Sequence, residues 1–182
     1  MPLLSDYART KKVEYFFRGV PKESRILEVG CGDGWLGRYL KANGWTHWAG
    51  LDLVPPADIV GSILEWRRLE MDPESFDVVV AFEVVEHVPC FQEMHDLLKA
   101  AGLLMLTSPA PGMDWFCKVL EAFGLTQRRT SPHDHLIDFH DVPLFEAVSI
   151  KRVGLAAQWG IFRKPLCNDP GGQGVATPCL LR

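Results

Sequence analysis

The sequence predicts an α/β domain built on a doubly wound, mostly parallel seven-stranded sheet that ends in an antiparallel hairpin. Three observations lead there. Short β-rich runs alternate with helical patterns through the first 107 residues, as in parallel sheets wrapped by helices. The run Val78-Val-Val-Ala-Phe82 is apolar at every position, which marks a central strand buried on both faces. Near the C-terminus, two strand-like runs are separated only by Gly154-Leu-Ala-Ala157, too short a link for a parallel crossover, so they pair as a hairpin. Length and composition agree: 182 residues, 47% hydrophobic and 23% charged, suit one globular domain that buries a core without a disulfide or metal.

The elements follow in order. Ser5 to Arg18 reads as a helix with Ser5 or Asp6 as its cap. Arg25-Ile-Leu-Glu-Val29 is a short strand running into a glycine loop, and Gly34 to Ala42 is a helix stopped by Asn43-Gly44. Thr46 to Leu53 is the second strand, ended by Pro55-Pro56, and Asp58 to Gly61 a short third. Ser75 to Phe82 is the central strand, Phe91 to Ala100 a helix, and Leu103 to Thr107 another buried strand. Ala147 to Val153 and Gln158 to Arg163 form the hairpin, and the breaker-rich stretch from Pro165 onward reads as a loose tail.

Charge and cysteine usage exclude several function classes. A net charge of −4 argues against a nucleic-acid partner. No apolar run approaches the ~20 residues of a membrane span, and the N-terminus lacks the basic start and apolar core of a secretion signal. The five cysteines are odd in number, widely spaced and free of any C-x-x-C pair, so a reducing cytoplasm fits best.

Between the first strand and its helix stands Glu28-Val-Gly30-Cys-Gly32-Asp-Gly34. Glycines here permit positive φ and let a ligand approach the backbone. Gly32-Asp-Gly34-Trp-Leu-Gly37 also satisfies the dinucleotide pattern G-x-G-x-x-G, and an acid, Asp52, follows about 20 residues on. Charge decides between the two ligands. A dinucleotide brings a doubly negative pyrophosphate to this turn, yet the loop carries Glu28 and Asp33 and no Lys or Arg before Arg38. Two unit charges ~4 Å apart interact by about 4 kcal/mol at an effective dielectric of 20. Such a loop repels pyrophosphate and suits a ligand with a cationic amine and sulfonium.

The pattern Glu28-x-Gly30-x-Gly32-x-Gly34 resembles motif I of the class I S-adenosylmethionine-dependent methyltransferases. Gly50-Leu-Asp52 resembles their acidic second-strand end, Ala57-Asp-Ile-Val-Gly-Ser-Ile63 their adenine-side segment, and Phe76 through His87 their fourth strand with its E-H turn. Leu97 to Thr107 resembles the segment into strand five. The likeness covers roughly residues 25 to 163 and is strongest to the small-molecule branch of ubiquinone and menaquinone biosynthesis. It implies a Rossmann-like domain over residues 1–164, with 1–20 as an N-terminal helix or lid and 110–142 as the substrate-side segment, followed by a tail at 165–182. Three positions depart from the pattern: Ser62 stands where an acid is common, Ala100-Ala-Gly102 replaces Pro-Gly-Gly, and the helix before the hairpin is compressed into Asp141 to Ala147.

The resemblance implies S-adenosylmethionine as cofactor and a small-molecule acceptor methylated at oxygen, nitrogen or carbon; oligomeric state stays open. It places Gly30, Gly32 and Gly34 at the methionine part, Glu28 in the network near the amine, and Asp52, with Leu53 beside it, at the ribose. Ile63 borders adenine or is plain core. Phe82 and Glu83 face the crevice at the strand carboxyl ends, although Glu83 also fits as a helix-start acid. His87 is a candidate general base or a packed turn residue. His133-Asp-His135 with His140 reads as substrate-facing in preference to a metal set, which makes His135 the second catalytic candidate and leaves no metal expected. The rivals are an RNA or protein methyltransferase, an NAD-dependent oxidoreductase and a non-catalytic scaffold that binds the cofactor.

Overall fold

The computed structural model describes residues 3–110, 137–154 and 157–166. Its elements run α1 (Leu3–Phe16), β1 (Ile26–Val29), α2 (Trp35–Ala42), β2 (Trp48–Asp52), β3 (Ile59–Val60), β4 (Phe76–Phe82), α3 (Phe91–Leu97), β5 (Leu98–Pro109), β6 (Glu146–Val153) and β7 (Ala157–Arg163), with 3-10 turns at Ile63–Glu65 and Phe139–Asp141. The strands form one sheet in the order β3-β2-β1-β4-β5-β7-β6. β1 to β5 are parallel, while β7 runs antiparallel to both β5 and β6. The α/β class, the mixed sheet and the terminal hairpin are as the sequence predicts.

Each face of the sheet carries its own core. Val13, Phe16 and Phe17 of α1 and its extension pack with Leu36 and Leu40 of α2 and with Ile26, Val78, Val80 and Met105 of the sheet. On the other face Met94, Leu97, Phe139 and Phe162 close over Leu27, Val79 and Leu104. The apolar run of β4 is central for this reason: side chains pointing either way meet a covered face. The strand order reverses between β1 and β4, and ligands bind beyond the strand carboxyl ends at such a switch point.

Two stretches differ from expectation. The helix over residues 91–100 stops at Leu97, and β5 begins at Leu98 with no loop between them. Leu98 is fully buried and pairs with Phe76, the ladder then shifts register, and Ala101 takes φ 60° to absorb the bend. Lys164 completes this corner from the far end of the chain. It is only 4% exposed, and its ammonium donates to Glu74 Oε1 at 2.9 Å, the His95 carbonyl at 2.9 Å and the Leu98 carbonyl at 2.8 Å, adding to the amides of Leu98, Glu74 and Ser75 that satisfy the other carbonyls of this helix end. The second difference lies at 141–147, where no helix forms. Asp138 Oδ1 accepts from the His140 amide to cap a single 3-10 turn, and Val142, which precedes Pro143, is held extended (φ −65°, ψ 117°) so the chain cannot continue helically.

Candidate active site

The crevice at the switch point has two sides of different construction. On the β1–β2 side the backbone does most of the shaping. The amides of Gly30 and Cys31 both donate to the Leu51 carbonyl, at 2.8 and 3.2 Å, so the loop is stitched to the end of β2. The Gly32 amide donates to Asp52 Oδ2 at 2.8 Å, which orients that carboxylate across the mouth of the loop. Gly30 (φ 73°) passes so near Val84 that a Cβ would stand 2.6 Å from its Cγ2, whereas a Cβ on Gly32 (φ 52°) would meet nothing within 4 Å. The first glycine serves packing; the second faces open space where a ligand can lie against the backbone. Gly34, also left-handed, caps α2.

Glu28 is 3% exposed and lies beneath this loop, accepting from Trp48 Nε1 at 3.1 Å. Burial, and to a smaller degree repulsion from Asp33 and Asp52, pushes its carboxyl up to about 8, against the pull of the Trp48 bond. Glu28 therefore carries a proton near neutrality. The negative charge expected at Glu28 from the sequence is thus largely masked by a proton in the folded protein. Asp33 is held by the Trp35 amide at 3.1 Å and pairs with Arg38 at 3.5 Å. Leu53 is 70% exposed beside Asp52, while the Ile63 side chain is buried in the core.

On the β4–β5 side, side chains from distant parts of the chain converge. Glu83 follows β4 in a left-handed conformation (φ 58°), a costly one for a residue with a side chain. Its Oε1 accepts from the Thr107 hydroxyl at 2.7 Å, and Lys12 of α1 reaches the same oxygen at 3.4 Å and Thr107 Oγ1 at 3.3 Å. The Lys12 ammonium also lies 5.0 Å from the centre of the Phe82 ring. Behind them, Glu86 and Ser108 are fully buried, and neither the carboxyl oxygens nor the hydroxyl makes a hydrogen bond of full geometry, so the Ser108 hydroxyl offsets only a small part of the cost of burying the carboxyl. Burial and the Glu83 charge push the Glu86 carboxyl up to about 8. Gln158 pins the returning chain at this end: it donates to the Ile137 carbonyl at 2.6 Å and accepts from the Phe139 amide at 3.2 Å.

Of the residues picked from sequence, Glu28, Gly30, Gly32, Gly34, Asp52 and Leu53 stand around one loop, and Phe82 and Glu83 across from it. Glu83 is not a helix-start acid, because a turn separates it from α3. His87 is exposed in the turn after β4, its amide donating to the Val84 carbonyl at 2.9 Å. His135 lies outside the described residues, as do His133 and most of the 110–142 segment. Sequence reasoning missed Lys12, Thr107, Glu86, Ser108 and Gln158. Among the described residues, no group of His, Cys, Asp or Glu could hold a metal ion, and no helix is long and apolar enough to cross a membrane.

Comparison with known proteins bears on this geometry. A family model described as a methyltransferase domain matches residues 5–156. A ubiquinone biosynthesis O-methyltransferase of Xylella fastidiosa is 29% identical over 116 residues, covering 53% of this chain and 47% of that protein. The chain spans between a third and a half of the length of the curated relatives it matches. Among solved structures, an S-adenosylmethionine-dependent methyltransferase of Methanosarcina mazei superposes with a TM-score of 0.59 at 17% identity, covering 83% of this chain and 97% of that one. A phosphoethanolamine N-methyltransferase of Haemonchus contortus, solved with S-adenosylmethionine, gives 0.58 at 14% identity over 86% of this chain and 52% of that one. These two likenesses establish the fold.

Proposed function

The chain belongs to the methyltransferase-domain family, and on that premise we propose that it transfers the methyl group of S-adenosylmethionine to a hydroxyl oxygen of a small molecule. The observation that carries this is the acid-lined glycine loop. Gly32 opens onto space beside Asp52, Glu28 lies buried beneath, and the loop's neighbouring cation, Arg38, is paired with Asp33. Oxygen as the acceptor atom comes from the O-methyltransferase relatives. A small-molecule partner in the cytoplasm fits the net charge of −4 and the five scattered cysteines. Residues 1–164 make up the catalytic domain.

Bound in this site, S-adenosylmethionine supplies a methyl group already activated by its sulfonium sulfur. The chain's task is alignment, which can contribute about 7–11 kcal/mol of barrier lowering. Asp52, preset by the Gly32 amide, accepts from the ribose hydroxyls. The backbone of Gly30 and Gly32 lets the methionine portion lie close, and Glu28 gives up its proton to balance the incoming positive charge. Phe82 and Glu83 border the point where methyl and acceptor meet.

The test is incubation of the purified protein with methyl-labelled S-adenosylmethionine and separate pools of small hydroxyl compounds, RNA and protein. Label recovered as a small-molecule methyl ether supports the reading. Label entering only RNA or only protein overturns it.

A further inference from the structure

α1 brings one cation into the acceptor side of the crevice. Lys11 and Glu14 pair with each other at 2.6 Å on the outer surface, and Arg9 stacks over Trp35 at 5.1 Å. Lys12 instead turns inward: its side chain is 21% exposed and its ammonium sits between Glu83, Thr107 and the face of Phe82. These partners lie 71 and 95 residues away in sequence, at the carboxyl ends of β4 and β5. Tyr15, one turn further along α1, is fixed by a 2.9 Å hydrogen bond to Ser149 of β6, so the helix holds Lys12 in place.

An ammonium here has a chemical consequence. The methyl donor is itself a cation, and a second positive charge beside it is unfavourable unless something negative lies between them. The Glu83 carboxylate supplies that charge at rest. When it takes an acceptor's proton, the charge passes to the acceptor oxygen, which stands beside the ammonium only while the reaction runs. We propose that Lys12 is a specificity-determining residue that selects an acidic hydroxyl, such as a phenol, by holding its oxyanion while Glu83 takes the proton. This rests on the methyl-transfer reading above.

The step balances. The acceptor O–H bond breaks and its proton goes to the Glu83 carboxylate. The oxygen pair so freed forms the bond to the methyl carbon, and the pair of the broken carbon–sulfur bond stays on sulfur. The Thr107 hydroxyl, donating to Glu83 Oε1 at 2.7 Å, orients the carboxylate for this role. Glu83 faces Lys12 directly, with Glu86 behind it; the other charged groups on the surrounding elements are turned elsewhere, Lys11 and Glu14 to each other, Arg9 to Trp35, and Lys151 of β6 to Tyr15 at 5.7 Å.

The oxyanion claim can be tested without turnover. 4-Nitrophenol changes colour on ionisation, so its proton loss can be followed while it is bound to the full chain with S-adenosylhomocysteine present. A cation ~4–6 Å away lowers an acid's pKa by about 1–3. The bound phenol is therefore expected to ionise at least about one pH unit lower in the native protein than in Lys12→Met, with Lys12→Arg restoring most of the difference. A residue that merely docks α1 would lower the melting temperature in Lys12→Met and leave this ionisation unmoved, which overturns the proposal. So does failure of 4-nitrophenol to bind when S-adenosylhomocysteine does. Failure of S-adenosylhomocysteine itself to bind strikes the methyl-transfer reading instead, so the two failures are distinct.

Discussion

The two sides of the crevice are built from opposite materials. The β1–β2 side is a continuous stretch of chain, residues 26–52, in which a loop with three left-handed glycines holds Asp52 through the Gly32 amide and the Trp48 indole holds Glu28. The β4–β5 side is an assembly of single side chains: Lys12 from α1, Glu83 and Glu86 after β4, Thr107 and Ser108 from β5, and Gln158 from β7. A ligand shared by many relatives can be met by backbone, whose chemistry does not change with side-chain identity. An acceptor that differs between relatives must be met by side chains, which can be exchanged without rebuilding the loop. The difference also appears in polar satisfaction. The loop side closes its hydrogen bonds internally, while the β4–β5 side leaves the Glu86 carboxyl and the Ser108 hydroxyl buried without a hydrogen bond of full geometry.

The largest expected effect tests that last contrast. Glu86 has its carboxyl pushed up to about 8 in the folded protein against an ordinary value of 4.5. Below the lower value both states hold the proton and Glu86 is neutral to stability. Between the two, the unfolded chain has released a proton that the folded one keeps, so stability falls as pH rises, and the cost is complete above about 8. Glu28 adds to the same trend. Glu86→Gln is therefore expected to raise the melting temperature at pH 8 by at least ~4 °C and to change it little at pH 4, read by thermal denaturation across pH. An unchanged melting temperature at both values breaks the contrast.

The next effect sharpens the loop side. A cationic ligand favours ionised Glu28, so binding draws off the proton that burial retains. The affinity for S-adenosylhomocysteine, whose amine is cationic, is expected to rise by about tenfold as pH increases from 6 toward 8 and then level off. Titrations in buffers of different ionisation enthalpy should show a proton released on binding. Glu28→Gln should flatten the profile.

The smallest effect separates anchoring from binding. Tyr15→Phe removes the hydrogen bond to Ser149 that fixes α1, a loss of about 1 kcal/mol and roughly 2–4 °C in melting temperature. Affinity for S-adenosylhomocysteine should stay within twofold, because the glycine loop is stitched to β2 without help from α1. A tenfold loss of affinity would show that the two sides are not separately built.

The same division explains what could be foreseen from sequence. Glu28, Gly32 and Asp52 lie within one strand–loop–helix–strand unit, where spacing along the chain determines spacing in space, and the hairpin follows from the shortness of its link. The β5 corner was misjudged because its stability comes from Lys164, whose ammonium reaches back 66 residues to the Leu98 carbonyl. The helix expected at 141–147 failed on a local signal, Pro143, which holds Val142 extended. Lys12 gave a faint sign of its role. It lies one turn before Phe16 on the edge of the buried stripe Val13-Phe16-Phe17, a position from which a long side chain can turn inward. Its partners came from β4 and β5, and no local pattern announces a pairing over that distance.

The central claim is that the acid-lined loop is a site for a cationic adenosyl cofactor. Calorimetric titration with S-adenosylhomocysteine, in parallel with NAD, tests it most directly. The account predicts a single site for S-adenosylhomocysteine, no measurable heat with NAD, and binding about tenfold to a hundredfold weaker in Asp52→Ala, from the ~1.5–3 kcal/mol of a hydrogen bond to a charged group. Equal affinity in Asp52→Ala, or binding of NAD in place of S-adenosylhomocysteine, would contradict it.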